Sequence, residues 1–273
     1  MRRKKMPALH IREKTENTGT AMRTLEIYTA LREHIPAELA AGWDNEGVML
    51  LADREKDIKR ALVTLDITEA AVDEAVESGC ELIVSHHPVI FKPLKRLESP
   101  KLLKMVRAGI SALSFHTSLD CAPGGTADTL AGLLGLFDLQ PLFDEGIPCG
   151  RIGRLAEPLS FDGLVARVKK AVSPAIMQVV ARRDSGEYLR VAVCPGEGKS
   201  LYPAALEAGA DAYICGSMPY NEMCDASERG MTVVAAGHFE TEQPVCARLA
   251  GLLAGLGVEC TVFKSNPALI LNY

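Results

Sequence analysis

Residues 60–88 read RALVTLDITEAAVDEAVESGCELIVSHHP, and this stretch decides the fold. Arg60–Ile67 is a nearly unbroken apolar run, which predicts a strand buried on both faces. Thr68 follows as an N-cap for a short helix over Glu69–Glu77, and Gly79 ends it. Glu81–Ser85 is then a second strand, and it runs straight into His86-His87-Pro88. Strand, helix, strand in so few residues means two parallel strands joined by a right-handed crossover.

The same grammar continues outward. Thr24–Leu39 carries apolar residues at helical spacing, with Pro36 as an interruption. Lys101–Ala108 reads as a helix, Ser111–Phe115 as a strand leading into His116, and Asp128–Leu134 as a helix opened by the loop Cys121–Thr126. Arg190–Cys194, Ala212–Cys215 and Thr232–Ala236 read as strands, Leu201–Ala208 and Pro244–Leu253 as helices, and Pro195–Gly198 as a Gly-rich turn. Shifted by 130 positions, Ala75-Val-Glu-Ser-Gly79 falls on Ala205-Leu-Glu-Ala-Gly209; shifted by 122, His116-x-x-x-Asp120 falls on His238-x-x-x-Glu242. The expected class is therefore α/β, with two similar α/β halves from an internal duplication, about 22–135 and 150–273. Their sheets are expected to be largely parallel, with the site between them. Residues 1–21, opened by Arg2, Arg3, Lys4 and Lys5, are expected to be a disordered basic extension outside this domain.

Composition narrows the function. The 273 residues are 48% hydrophobic and 24% charged, with a net charge of -5. That argues against nucleic acid as a partner, because such domains are basic. No apolar run reaches the ~20 residues of a membrane span, and none follows the opening cations as a signal peptide requires. The eight cysteines include no Cys-x-x-Cys pair and several lie in apolar runs, as expected of small buried hydrophobes in a reducing cytoplasm.

Four of six histidines (His86, His87, His116 and His238) directly follow predicted strands. Ligands gather at the carboxyl ends of strands in such sheets. Two of the four have an acid four residues on, Asp120 and Glu242. Imidazole with carboxylate suits zinc, iron, manganese, nickel or cobalt rather than calcium or magnesium. Three histidines with two acids exceed what one catalytic zinc takes, and they suit two divalent ions with one shared carboxylate. On the residues alone, His116 stands open between ligation and proton transfer. Glu240 is a second candidate shuttle, and Lys92 and Lys95 are candidate phosphate contacts. Gly196-Glu-Gly-Lys-Ser200 lacks the leading glycine of a P-loop, since position 193 is Val193.

Ser85-His-His-Pro-Val-Ile-Phe-Lys-Pro-Leu-Lys95 resembles the signature of the Nif-three-like dinuclear metal-centre family, whose members are often labelled GTP cyclohydrolase I type 2 homologs. So do Trp43-Asp-Asn45, His116-Thr-Ser-Leu-Asp-Cys-Ala-Pro-Gly-Gly125 and Gly237-His-Phe-Glu-Thr-Glu242. The resemblance runs from about Met22 to the C-terminus. It implies that His86, His87, Asp120, His238 and Glu242 hold two metal ions, with Glu242 bridging. It further implies a ring-like homo-oligomer, commonly a hexamer, and a metal-dependent hydrolase acting on GTP or another nucleotide or phosphate ester. The alternative it carries is a non-enzymatic metal-binding scaffold or regulator. One departure stands out. Where the family pattern has Gly-Asp-x-Lys-x-His, this chain has Gly216-Ser-Met-Pro-Tyr-Asn221, which puts a carried-over substrate in doubt.

Overall fold

The structure, a computed structural model, describes residues 21–181, 186–198 and 201–264. The expected basic extension lies outside the described residues apart from Ala21, as do Lys199 and Ser200. Two compact units divide the chain: Thr117–Val245 forms one, and the flanking segments up to His116 and from Cys246 form the other.

The flanking segments build a five-stranded sheet in the order Glu259–Phe263, Arg60–Thr64, Leu82–Ser85, Ser111–Ser114, Gly47–Leu50. The first four strands are parallel and the last is antiparallel. Strands Leu82–Ser85 and Ser111–Ser114 are buried at every residue, so they show no polar alternation. Helices Glu69–Glu77 and Pro100–Ala108 cover one face, where Val72, Ala75, Leu102 and Met105 pack on Leu62, Ile83 and Ala112. Thr68 is the predicted cap, its Oγ1 accepting from Ala71 N at 3.1 Å. Thr64 pairs with Ser85 and Ser85 with Ser114, so three parallel strands end side by side. The first is shorter than the predicted Arg60–Ile67. The Asp66 carbonyl accepts from Thr64 Oγ1 and from Thr68 N, each at 3.0 Å, which turns the chain out of the ladder.

The central unit holds a six-stranded sheet in the order Phe137–Asp144, Ile147–Leu159, Tyr188–Glu197, Ala212–Ser217, Thr232–Ala235, Gln178–Val180. The three predicted strands form its parallel middle, and the other pairings are antiparallel. The long hairpin at the edge turns at Glu145-Gly146, both at positive φ, as a two-residue type I′ turn requires. Both faces are covered. Ala192, Tyr213 and Val233 pack with Tyr202, Met223 and Ala226. Val191, Ile214 and Val234 pack with Leu130, Leu164 and Val168.

These units are cut differently from the sequence halves, because Glu259–Phe263 returns to pair in parallel with Arg60–Thr64. The offset of 130 carries Leu82–Ser85 onto Ala212–Cys215 of strand Ala212–Ser217, and the offset of 122 carries Ser111–Ser114 onto Val233–Ala236, one residue out of step with strand Thr232–Ala235. Pro195–Gly198 is not the expected turn. The strand runs through Glu197 with a shift of register after Cys194. The Gly196 and Gly198 N–H groups are spent on Thr241 Oγ1 (3.2 Å) and the Ser217 carbonyl (3.0 Å), so they make no anion cradle. Among the described residues no disulfide forms and no helix is long and apolar enough to cross a membrane.

Candidate metal centre

In the first unit the aligned strand ends bring three imidazoles together. Ring centroids lie 4.9 Å apart for His86 and His87, 5.4 Å for His86 and His116, and 5.6 Å for His87 and His116. A ring nitrogen of His86 and one of His87 come within 4.8 Å of each other. Adjacent residues on a continuing strand would point to opposite faces; leaving the strand at Ser85 lets both rings share one side.

Each ring is held by its Nδ1. His86 Nδ1 meets the Phe115 carbonyl at 2.9 Å, His87 Nδ1 meets Asp66 Oδ1 at 2.8 Å, and His116 Nδ1 meets Asp44 Oδ1 at 2.9 Å. A carbonyl or carboxylate only accepts, so Nδ1 carries the proton in all three. In the neutral ring the lone pair then sits on Nε2. This is how metal-binding histidines are oriented and made more basic.

One of those partners, Asp44, comes from the loop that carries Trp43-Asp44-Asn45. In Trp43-Asp44-Asn45-Glu46, the Asp44 side chain is fully buried and takes the His116 ring, while Glu46 Oε2 accepts His116 N at 2.8 Å. Arg32 pairs with the other Glu46 oxygen at 2.7 Å and lies over the Tyr28 and Phe115 rings. Asn45 Nδ2 reaches the Ile90 carbonyl at 2.5 Å, tying this loop to the segment after His-His-Pro. Trp43 is 67% exposed; its ring centroid lies 6.2 Å from both Phe91 and His116.

The central unit carries the remaining donors. Helix His238–Glu242 follows strand Thr232–Ala235 and places His238 Nε2 3.0 Å from Glu242 Oε2. Glu242 is buried, while His238 is half exposed. Glycines make the room: a Cβ on Gly196 would sit 2.1 Å from Glu242 Oε1, and one on Gly216 would sit 2.7 Å from His238 Cα. Asp120 lies half-buried on the short helix Thr117–Cys121. That helix ends where the Cys121 carbonyl accepts from buried Arg151 Nη2 at 3.0 Å, and Arg151 is paired with Asp128. Pro123 and Gly124 form a turn, and a Cβ on Gly125 would strike the Leu119 carbonyl at 1.8 Å. Glu240 Oε1 instead accepts the Ala175 N–H at 3.3 Å. Lys92, Lys95, Ser217 and Asn221 are exposed.

The imidazole nitrogens of fixed tautomer in the first unit, and the buried carboxylate in its glycine cradle in the central unit, are each donor types that suit a divalent ion of borderline hardness. The fold and these donors define an α/β protein of the metal-site-bearing kind. The Duf34/NIF3 (NGG1p interacting factor 3) family profile matches residues 22–268, and the chain belongs to that family. It is 30% identical over 240 residues to a Clostridium perfringens protein called GTP cyclohydrolase 1 type 2 homolog, covering 84% of this chain and 90% of that one. It is 32% identical over 261 residues to NIF3-like protein 1 of Drosophila melanogaster, covering 92% and 88%. A hypothetical protein from Staphylococcus aureus shares its fold, with a TM-score of 0.85 at 21% identity over 93% of this chain and all of that one.

Proposed function

We propose that this protein is a dinuclear metal-dependent hydrolase of the cytoplasm. His86, His87, Asp120, His238 and Glu242 would hold two divalent ions, drawn from zinc, iron, manganese, nickel or cobalt, with Glu242 shared. The observation that carries the reading is the common Nδ1 tether of His86 and His87, which commits both rings to donate through Nε2. Bound divalent ions supply Lewis acidity, making water a nucleophile near neutral pH and polarising the bond under attack.

The chain's own residues supply the proton path. Asp44 fixes the His116 ring and would stabilise its protonated form, so Nε2 can take a proton and return it. The substrate class is a nucleotide or other phosphate ester, in keeping with the GTP cyclohydrolase wording attached to the Clostridium relative. A ring-shaped homo-oligomer, a hexamer, would be its working form. Metal analysis of the purified protein, with a hydrolase screen on nucleotides and phosphate esters, tests this. Two ions per chain, lost together with turnover in Glu242→Ala, is the expected result. One ion per chain, unchanged by that substitution, overturns the dinuclear site.

A second reading is a metal-binding scaffold that acts through a protein partner. The Ser217-Met-Pro-Tyr-Asn221 stretch, exposed except at Met218, favours it, because the family pattern's acid, base and imidazole are missing there. Full metal occupancy with no turnover and a stable partner would decide for it.

A further inference from the structure

Two large aromatic side chains stand in solvent beside His116. Trp43 is 67% exposed and Phe91 48%. Their centroids lie 6.2 Å apart at 56°, and each meets the His116 ring nearly edge-on, at 6.2 Å and 74° for Trp43 and 6.4 Å and 82° for Phe91. The corner is fixed from both sides. Asn45, two residues after Trp43, holds the carbonyl of Ile90, the residue before Phe91. Asp44, directly after Trp43, holds His116. Neither ring therefore reaches its exposed position by fraying of its own segment.

Exposed rings held this way offer π-faces to an incoming flat ring, and offset or tilted stacking is the arrangement aromatic pairs prefer. The segment that supplies Phe91 also exposes Lys92 and Lys95. Those ammonium groups complement an anionic tail on the same ligand. We infer that Trp43 and Phe91 form a stacking platform for the planar heterocycle of a phosphate-bearing ligand, a nucleotide, and so position its base beside His116. This inference rests on the proposed reaction centre for its purpose, but the binding itself does not require metal or turnover.

Trp43 is the sole tryptophan of the chain, so its fluorescence reports the platform directly. The full-length protein would be titrated with GTP, corrected for nucleotide absorbance, both as purified and after chelation. Tripolyphosphate serves as the control that has charge but no ring. Saturable quenching by GTP and none by tripolyphosphate is expected, in both preparations. By calorimetry, Phe91→Ala and Trp43→Ala should each weaken GTP binding about tenfold, the scale of one base–aromatic stack. Trp43→Phe should retain binding, since it keeps a ring and the fold. Equal responses to GTP and tripolyphosphate, or no saturable response to either, overturn the platform. So does a smaller particle on sedimentation of Trp43→Ala, which would assign this face to a second copy of the chain. Quenching that persists in a protein with no metal and no turnover would sink the hydrolase reading and leave the platform standing.

Discussion

Gly196 and Glu242 are so close that a single methyl group at position 196 would sit 2.1 Å from Glu242 Oε1. Gly196 also adopts a φ of +67°, which costs other residues about 1–2 kcal/mol. Both facts place the glycine under the carboxylate as a matter of space. Gly196→Ala is therefore expected to lower stability by about that amount and to push Glu242 out of position. Thermal unfolding and metal content measured together check this. A stable variant with full metal content would show that the cradle does not set the carboxylate.

Asp66 acts on the metal only through His87 if its role is to hold the Nδ1 proton. Asp66→Ala should then weaken metal binding about 10–100-fold, the usual cost of losing such an outer partner. Asp66→Asn keeps an oxygen that can accept from Nδ1 and should recover part of the loss. Competition against a chelator of known strength measures both. Equal, large losses would mean that Asp66 does more than orient the ring.

Arg151 is a buried guanidinium that donates to the Pro148, Gly150 and Cys121 carbonyls and pairs with Asp128. Removing its counter-charge leaves a buried cation. Asp128→Ala should cost about 3–5 kcal/mol, read from denaturant unfolding. An apolar replacement of both, Arg151→Met with Asp128→Leu, should be far milder than Asp128→Ala alone.

The strand ends were legible in the sequence because each histidine follows a short run that is apolar on both faces, and Thr68 announced its helix by its side chain. The partners of those histidines were not legible. Asp44 and His116 are 72 residues apart, and Asp66 and His87 are 21 apart; the antiparallel pairing of Gly47 with Ser114 brings the first two together, and the parallel pairing of Thr64 with Ser85 the second two. The hairpin over Phe137–Leu159 escaped for a different reason. Its first strand is exposed at most positions, so it lacks the apolar signal that reveals a strand. Pro195–Gly198 looked like a turn because Gly and Pro punctuate turns, yet here the glycine at positive φ serves a shift of register inside a strand.

The thiols differ enough to be ranked. Burial pushes the Cys80 thiol up to about 11 and the Cys260 thiol up to about 12. Cys149 goes the other way, because the hydrogen bond from the Cys121 thiol favours its thiolate. A lowered pKa enlarges the reactive fraction at a given pH, and a raised one shrinks it. Near pH 8, iodoacetamide should label Cys149 first and leave Cys80 and Cys260 behind. Their labelling should grow as pH rises toward their own pKa values. Mass spectrometry of timed digests reads the order directly, and early labelling of Cys80 would contradict it.

His116 carries the sharpest test of the site. Its ring centroid lies 5.4 Å from that of His86 and 5.6 Å from that of His87, and its Nδ1 is held by Asp44, an arrangement that serves a metal ligand and a proton carrier alike. Asp44→Asn keeps the size of the side chain but removes the charge that stabilises a protonated imidazole. If His116 moves a proton, turnover should fall about 10²–10⁴-fold. Metal content should stay at the wild-type level. If His116 is instead a ligand, the same substitution should lower metal content along with turnover, and added metal should restore part of the rate. Measuring both quantities on one preparation separates the two roles, since only a proton carrier leaves the metal in place while the rate collapses.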